Sequence, residues 1–140
     1  MKRILSLFLI AVLLLLSTAP AYAAMPETAT PYYTNTSQAG VSFVVDETGS
    51  ASWTIICTGK SSCTGIDAVT YLERELAGTW VRVFIGNGND EFTYSTTDSW
   101  MVQTYDFTLR NHGTYRAVVV FTVHGTVEDE ELTFWNSRTY

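Results

Sequence analysis

Cys57 and Cys63 are the residues of this chain best suited to covalent chemistry. They enclose Thr58-Gly59-Lys60-Ser61-Ser62, a loop flexible enough to bring the two sulfurs together. In an oxidising compartment an even pair at this spacing predicts a short-loop disulfide. The closed loop is small, so the chain-entropy gain is about 2 kcal/mol. The spacing is not C-x-x-C, which argues against thiol–disulfide exchange as a function. Zinc would need two further ligands, and no paired histidines lie near.

His112 and His124 are the only histidines. Nucleophilic hydrolysis needs one of them beside a nucleophile and an orienting acid, yet no G-x-S-x-G or H-E-x-x-H run occurs. Both read as exposed turn residues. Glu128-Asp129-Glu130-Glu131 offers the oxygen ligands calcium prefers. Neighbouring carboxylates on a strand point to opposite faces, so they do not all converge on one ion. A solvated, charge-protected hairpin explains the run better. Asn87, Asn89, Asp90 and Glu91 form a second oxygen-rich stretch whose glycines argue turn geometry first. The residues imply no cofactor, metal site or catalytic set. Glycoside hydrolysis by two carboxylates depends on their separation, and a domain this small leaves little room for the cleft it needs.

The aromatic residues are a better lead. There are 4 Trp and 8 Tyr, more than one small core comfortably buries. Tyr94, Trp100 and Trp135 fall off the core face or near strand ends, where rings stack on sugars or anchor a protein partner. Cross-strand packing between exposed residues is the competing explanation.

The elements that must position these residues follow an export signal. Lys2 and Arg3 precede an apolar run, Ile4 to Leu16, and Ala21-Tyr22-Ala23 is a small-x-small cleavage site. This order predicts a signal peptide over residues 1–23, cut between Ala23 and Ala24. The run is short of the ~20 residues a membrane span requires. The expectation is therefore a secreted protein without membrane attachment after cleavage. The chain has 14 acids against 8 bases, and two of those bases lie in the leader. Such an acidic surface disfavours nucleic acid and anionic lipid as partners.

Residues 24–36 read as a flexible leader with a short edge strand at Tyr32-Tyr33-Thr34. Residues 37–140 read as one domain. Short runs rich in Val, Ile, Thr, Tyr, Phe and Trp recur there, broken by turn signals about every ten residues. The expected strands are 41–46, 50–58, 68–76, 79–85, 92–95, 101–109, 113–124 and 132–137. Ala77-Gly78 turns one hairpin, and Gly86-Asn87-Gly88-Asn89 is the strongest turn signal. Ala51, Trp53, Ile55 and Cys57 alternate onto one face. So do Tyr115, Ala117, Val119, Phe121 and Val123. This strand count predicts an all-β, immunoglobulin-like antiparallel sandwich, with a small open barrel as the rival. Asn111-x-Gly113-x-Tyr115 has the form of a tyrosine corner, whose hydroxyl bonds backbone upstream. Ala117 stands where antibody domains carry the second cysteine, so packing must replace an inter-sheet disulfide. Trp53, Leu72, Trp80, Phe107 and Phe121 are the candidate large core residues.

The run of motifs Tyr32-Tyr33-Thr34, Cys57-Thr58-Gly59, Tyr71-Leu72-Glu73-Arg74, Gly78-Thr79-Trp80, Gly113-Thr114-Tyr115-Arg116 and Ser137-Arg138-Thr139-Tyr140 resembles a family of small secreted proteins from Gram-positive gut bacteria. It departs from that family at Trp53, Cys63 and Glu128 to Glu131. The resemblance implies export and a β-sandwich and carries no catalytic residues. The leading expectation is a non-enzymatic extracellular domain that binds a protein or carbohydrate. The alternatives are a carboxylate-dependent hydrolase, which would show a cleft with two acids, and a structural component assembling by its sheet edges. Val41 to Val45 is the edge segment relevant to the last.

Overall fold

The computed structural model describes residues 32–86 and 90–140. The expected signal segment with its Ala23–Ala24 cleavage point, most of the expected leader, and Asn87 to Asn89 lie outside the described residues. In chain order the strands are β1 (Thr36–Val45), β2 (Ser50–Gly59), β3 (Cys63–Leu76), β4 (Thr79–Arg82), β5 (Phe92–Thr96), β6 (Trp100–Thr108), β7 (Thr114–Gly125) and β8 (Glu130–Thr139).

Alternation sorts them into two layers. On β2, Ala51, Trp53, Ile55 and Cys57 are buried, while the residues between them are partly open. The β7 set Tyr115, Ala117, Val119, Phe121 and Val123 faces them from the other layer. One sheet runs β1-β2-β6, and the other runs β4-β3-β7-β8 with β5 beside β4 on the same edge of β3. All pairings are antiparallel. Three strands against a G-F-C-C′-type sheet is an immunoglobulin-like sandwich. Burial of Trp53, Phe43, Phe121, Ile55, Ile66 and Leu72 supplies its core.

A polar bond crosses the core from Trp53, whose Nε1 donates to Thr70 Oγ1 at 3.0 Å; Thr70 in turn donates to Val118 O within its own sheet at 2.6 Å. Thr70 is fully buried, so both bonds offset its desolvation. At the other end, Tyr115 Oη donates to Asn111 O at 2.7 Å and holds the turn into β7. The β3–β4 hairpin turns on Ala77 and Gly78, both at positive φ, the backbone a two-residue hairpin demands.

Several expectations change: the strand expected over 79–85 ends at Arg82, and those expected over 41–46 and 68–76 begin earlier, at Thr36 and Cys63. The region 32–35 is not a strand. Trp80 is not in the core, because it pairs with Glu75 on the outer face of the five-stranded sheet. Nor is there a Cys57–Cys63 disulfide, since both cysteines are free thiols. Cys57 lies inside β2 with its side chain in the core. Cys63 opens β3 in the opposite sheet and packs over Gly59, with Sγ donating to Gly65 O at 3.5 Å. A turn closed by Cys63 N donating to Lys60 O at 3.0 Å carries the chain from one layer to the other and sets Cys63 over Gly59. Burial, with smaller contributions from Cys63 and Glu130, pushes the Cys57 thiol up to about 12. We expect native protein near pH ~8 to alkylate at Cys63 before Cys57, and denatured, unreduced protein to alkylate at both, as read by mass. An unreduced denatured protein that takes up no label would contradict the free thiols.

Candidate aromatic–arginine binding face

The outer face of the five-stranded sheet carries side chains that the core does not use. Register places Trp80 beside Glu75, Glu73 beside Arg116, and Val118 between Tyr71 and Trp135. These are alternate positions on adjacent strands, so their side chains share one surface. The Arg116 guanidinium sits 4.3 Å from the Trp80 ring centre and 6.0 Å from that of Trp135. Its Nε donates to Glu73 Oε2 at 2.6 Å. Beside it, Arg82 lies 3.1 Å over the Tyr71 ring and pairs with Glu91 at 3.2 Å.

Each guanidinium is therefore held by a ring and a carboxylate together. Stacking on an aromatic face supplies about 0.5–1 kcal/mol at exposed sites. Val118 lies on this outer face but is only 4 % exposed, because the flanking side chains cover it. Trp135 stays 62 % exposed. The result is a surface on which two arginines are fixed by rings and carboxylates of the same sheet.

The three aromatics expected to form a binding patch are not gathered. Trp100 is exposed on the outer face of the three-stranded sheet, opposite Thr58 and beside Val102. Tyr94 pairs with Ala68 and follows Phe92 on the core side, so it sits at the open seam of the sandwich. Only Trp135 belongs to the aromatic–arginine face. Trp80, Arg116, Tyr71 and Arg82 were not expected there. Their signal lay in the positions between the apolar residues of β3 and β7, but cross-strand register is needed to bring them together.

Of the two histidines, His112 sits as expected and His124 does not. His112 is exposed in the turn and stacks on Tyr140 at 4.3 Å. His124 belongs to β7, and its ring bridges two carboxylates: Nε2 to Asp67 Oδ2 and Nδ1 to Asp129 Oδ2, both at 3.0 Å. Asp67 first, then Asp129, hold the imidazole above its ordinary value. His124, then Ser95, hold Asp67 below its own. A histidine stabilised as the cation is a poor general base.

The pH dependence follows from the signs. The raised His124 pKa stabilises the fold fully below the unfolded value of about 6.5, and that contribution is lost as pH rises through the folded value. The lowered Asp67 pKa stabilises above about 3.9 and fades as pH falls through its folded value. The expected result is a Tm that declines through the neutral range, with a smaller decline in His124→Gln. Parallel Tm curves for both proteins would refute the bridge.

Asp129 and Glu130 are both engaged by the fold. Asp129 also accepts from Gly125 N at 3.3 Å, while Glu130 accepts from Thr34 N, Asn35 N and Thr36 Oγ1. Among the described residues no group of three or more His, Cys, Asp or Glu is arranged to hold a metal ion. The second oxygen-rich turn loses Asn87 and Asn89 to the region outside the described residues, and Asp90 accepts from Ile85 N at 3.2 Å.

No family model matches the chain. No curated protein matches it either. Among solved structures it is similar to the CARDB domain of a Pyrococcus furiosus protein in complex with di-metal ions, at 13 % identity and a TM-score of 0.47 over 82 % of this chain and 97 % of that one.

Proposed function

We propose that the protein is a secreted, non-enzymatic binding domain that engages an extracellular protein through the outer face of its five-stranded sheet. One observation carries this reading: the Arg116 guanidinium held between Trp80 and Trp135 on an exposed surface. Trp, Tyr and Arg dominate the energetic centres of protein interfaces, where rigid rings add contact area at small entropic cost. An outer sheet face built of rings and guanidinium groups offers the kind of contact area that protein partners use. Export fits the leader, the acidic charge balance and the resemblance to small secreted proteins.

The test offers immobilised protein to the medium of cells that make it. A secreted protein retained by wild type and by Trp100→Ala, but weakened at least about tenfold by Trp135→Ala, supports the reading. Equal retention by all three refutes it.

A second reading rests on β1. It is an edge strand of ten residues with no charged residue and no proline. Lysine and proline are the usual guards against edge-to-edge pairing, and this edge has neither. If copies pair through it, wild type elutes as a dimer and Ser42→Lys as a monomer.

A further inference from the structure

We propose that the groove between β4 and the β6–β7 turn is a second binding site, for a monoanionic amphiphile: a carboxylate head on an alkyl chain. The groove has a volume of about 460 Å³, within the ~300–1,000 Å³ usual for small-molecule sites. Its walls are apolar, with Val83, Phe107 and Leu109 at the base and Val81 and Phe84 at the mouth. Phe84 is 75 % exposed and Val81 44 %. Apolar surface open to water in a concave setting marks a ligand groove more often than an ordinary patch does.

The charge is the second observation. The chain is acidic overall, with 14 acids to 8 bases. Yet Arg74, Arg82 and Arg110 all line this groove, and among the described residues no carboxylate does. Arg82 is already balanced by Glu91. Arg74 spends Nη2 on His112 O at 2.7 Å and lies 5.7 Å over the Tyr115 ring; its Nε is buried against Gly113 without an acceptor, and no carboxylate pairs with it among the described residues. Arg110 is exposed at the rim. The uncompensated charge is thus that of Arg74 and Arg110, which suits one anionic head better than a polyanion. A planar guanidinium matches a carboxylate through two parallel hydrogen bonds. The apolar wall then takes the alkyl chain, and burying it supplies most of the affinity.

The probe is sodium decanoate, titrated into the purified protein below its micelle concentration and followed by calorimetry. Saturable one-to-one binding is expected. Arg110→Gln should weaken it by about tenfold or more, as should Phe84→Ser, since one removes the head contact and the other the chain contact. Both residues are exposed, so both variants keep the fold. Trp135→Ala should bind decanoate as wild type does, which separates this site from the sheet face. The site is refuted if decanoate fails to saturate, if Arg110→Gln binds unchanged, or if acetate binds as tightly as decanoate.

Discussion

Replacing Trp53 with alanine is expected to lower the unfolding free energy by about 3–5 kcal/mol. Typical domains hold only about 5–15 kcal/mol in total, so the variant should lie near the edge of folding. Three losses combine at this position. The ring is 1 % exposed, and its removal leaves a cavity between the two sheets. It stacks on Tyr105 at 5.5 Å and tilts against Phe92 at 5.8 Å, so a cluster that closes the sandwich seam is broken. Its Nε1 bond to Thr70 also goes, leaving a fully buried hydroxyl with one partner fewer. Urea unfolding followed by circular dichroism measures the change. Trp53→Phe should recover the packing but not the bond to Thr70, and fall between the two. A loss for Trp53→Ala no greater than that for exposed Trp135→Ala would contradict the core assignment.

The second large effect is expected at Glu130. Its carboxylate accepts from Thr34 N at 2.7 Å, Asn35 N at 3.1 Å and Thr36 Oγ1 at 2.8 Å, tying the entry of β1 to the start of β8. Asn35 is buried beside it, donating to Glu128 O and accepting from Ser62 Oγ. Lys60 joins the same knot, its backbone N donating to Asn35 O and its ammonium to Tyr33 O. Gly125 leaves space for Asn35, since a side chain there would overlap the Asn35 amide and Glu128 O. Glu130→Ala orphans three donors at once, at a cost of about 2 kcal/mol or more. Glu130→Gln retains an acceptor oxygen and should lose less. Amide exchange at Thr34 to Thr36 should accelerate in the alanine variant.

Glu130 also gives the stability an acid limit. Burial alone would raise its pKa, but the bonds from Thr36, Thr34 and Asn35, helped by Lys60, outweigh it and hold the carboxyl below its ordinary value. A lowered folded pKa stabilises above the unfolded value of about 4.3 and is lost as pH falls through the folded one. Wild type should therefore lose stability on acidification more steeply than Glu130→Gln. Identical acid profiles would show that the carboxylate carries no such charge-dependent contribution.

The layers of this fold were legible in β2 and β7, where every second position is apolar along most of the strand and so marks one continuous inner face. The extra length of β3 was not. Cys63-Thr64-Gly65 reads as loop, and its strand character comes from pairing with β7 across a register shift. Trp80 was assigned to the core by its size alone. A one-residue difference in hairpin register decides the face, and here that register sends it outward. The acidic run near residue 130 was read as solvated, since nothing local shows that Glu130 meets backbone from a segment far away in the chain. The aromatic–arginine face was half legible for the same reason. Alternation placed Trp135 outside, but only strand order brings Trp80, Arg116 and Tyr71 alongside it.

Indole signals decide the central claim most directly. The four tryptophans give four Nε1–H resonances in a proton–nitrogen spectrum: Trp53 in the core, Trp100 on the three-stranded sheet, and Trp80 and Trp135 on the five-stranded one. Adding the retained extracellular partner should shift Trp80 and Trp135 while Trp53 and Trp100 stay in place. A shift confined to Trp100, with Trp80 and Trp135 unmoved, would contradict the account.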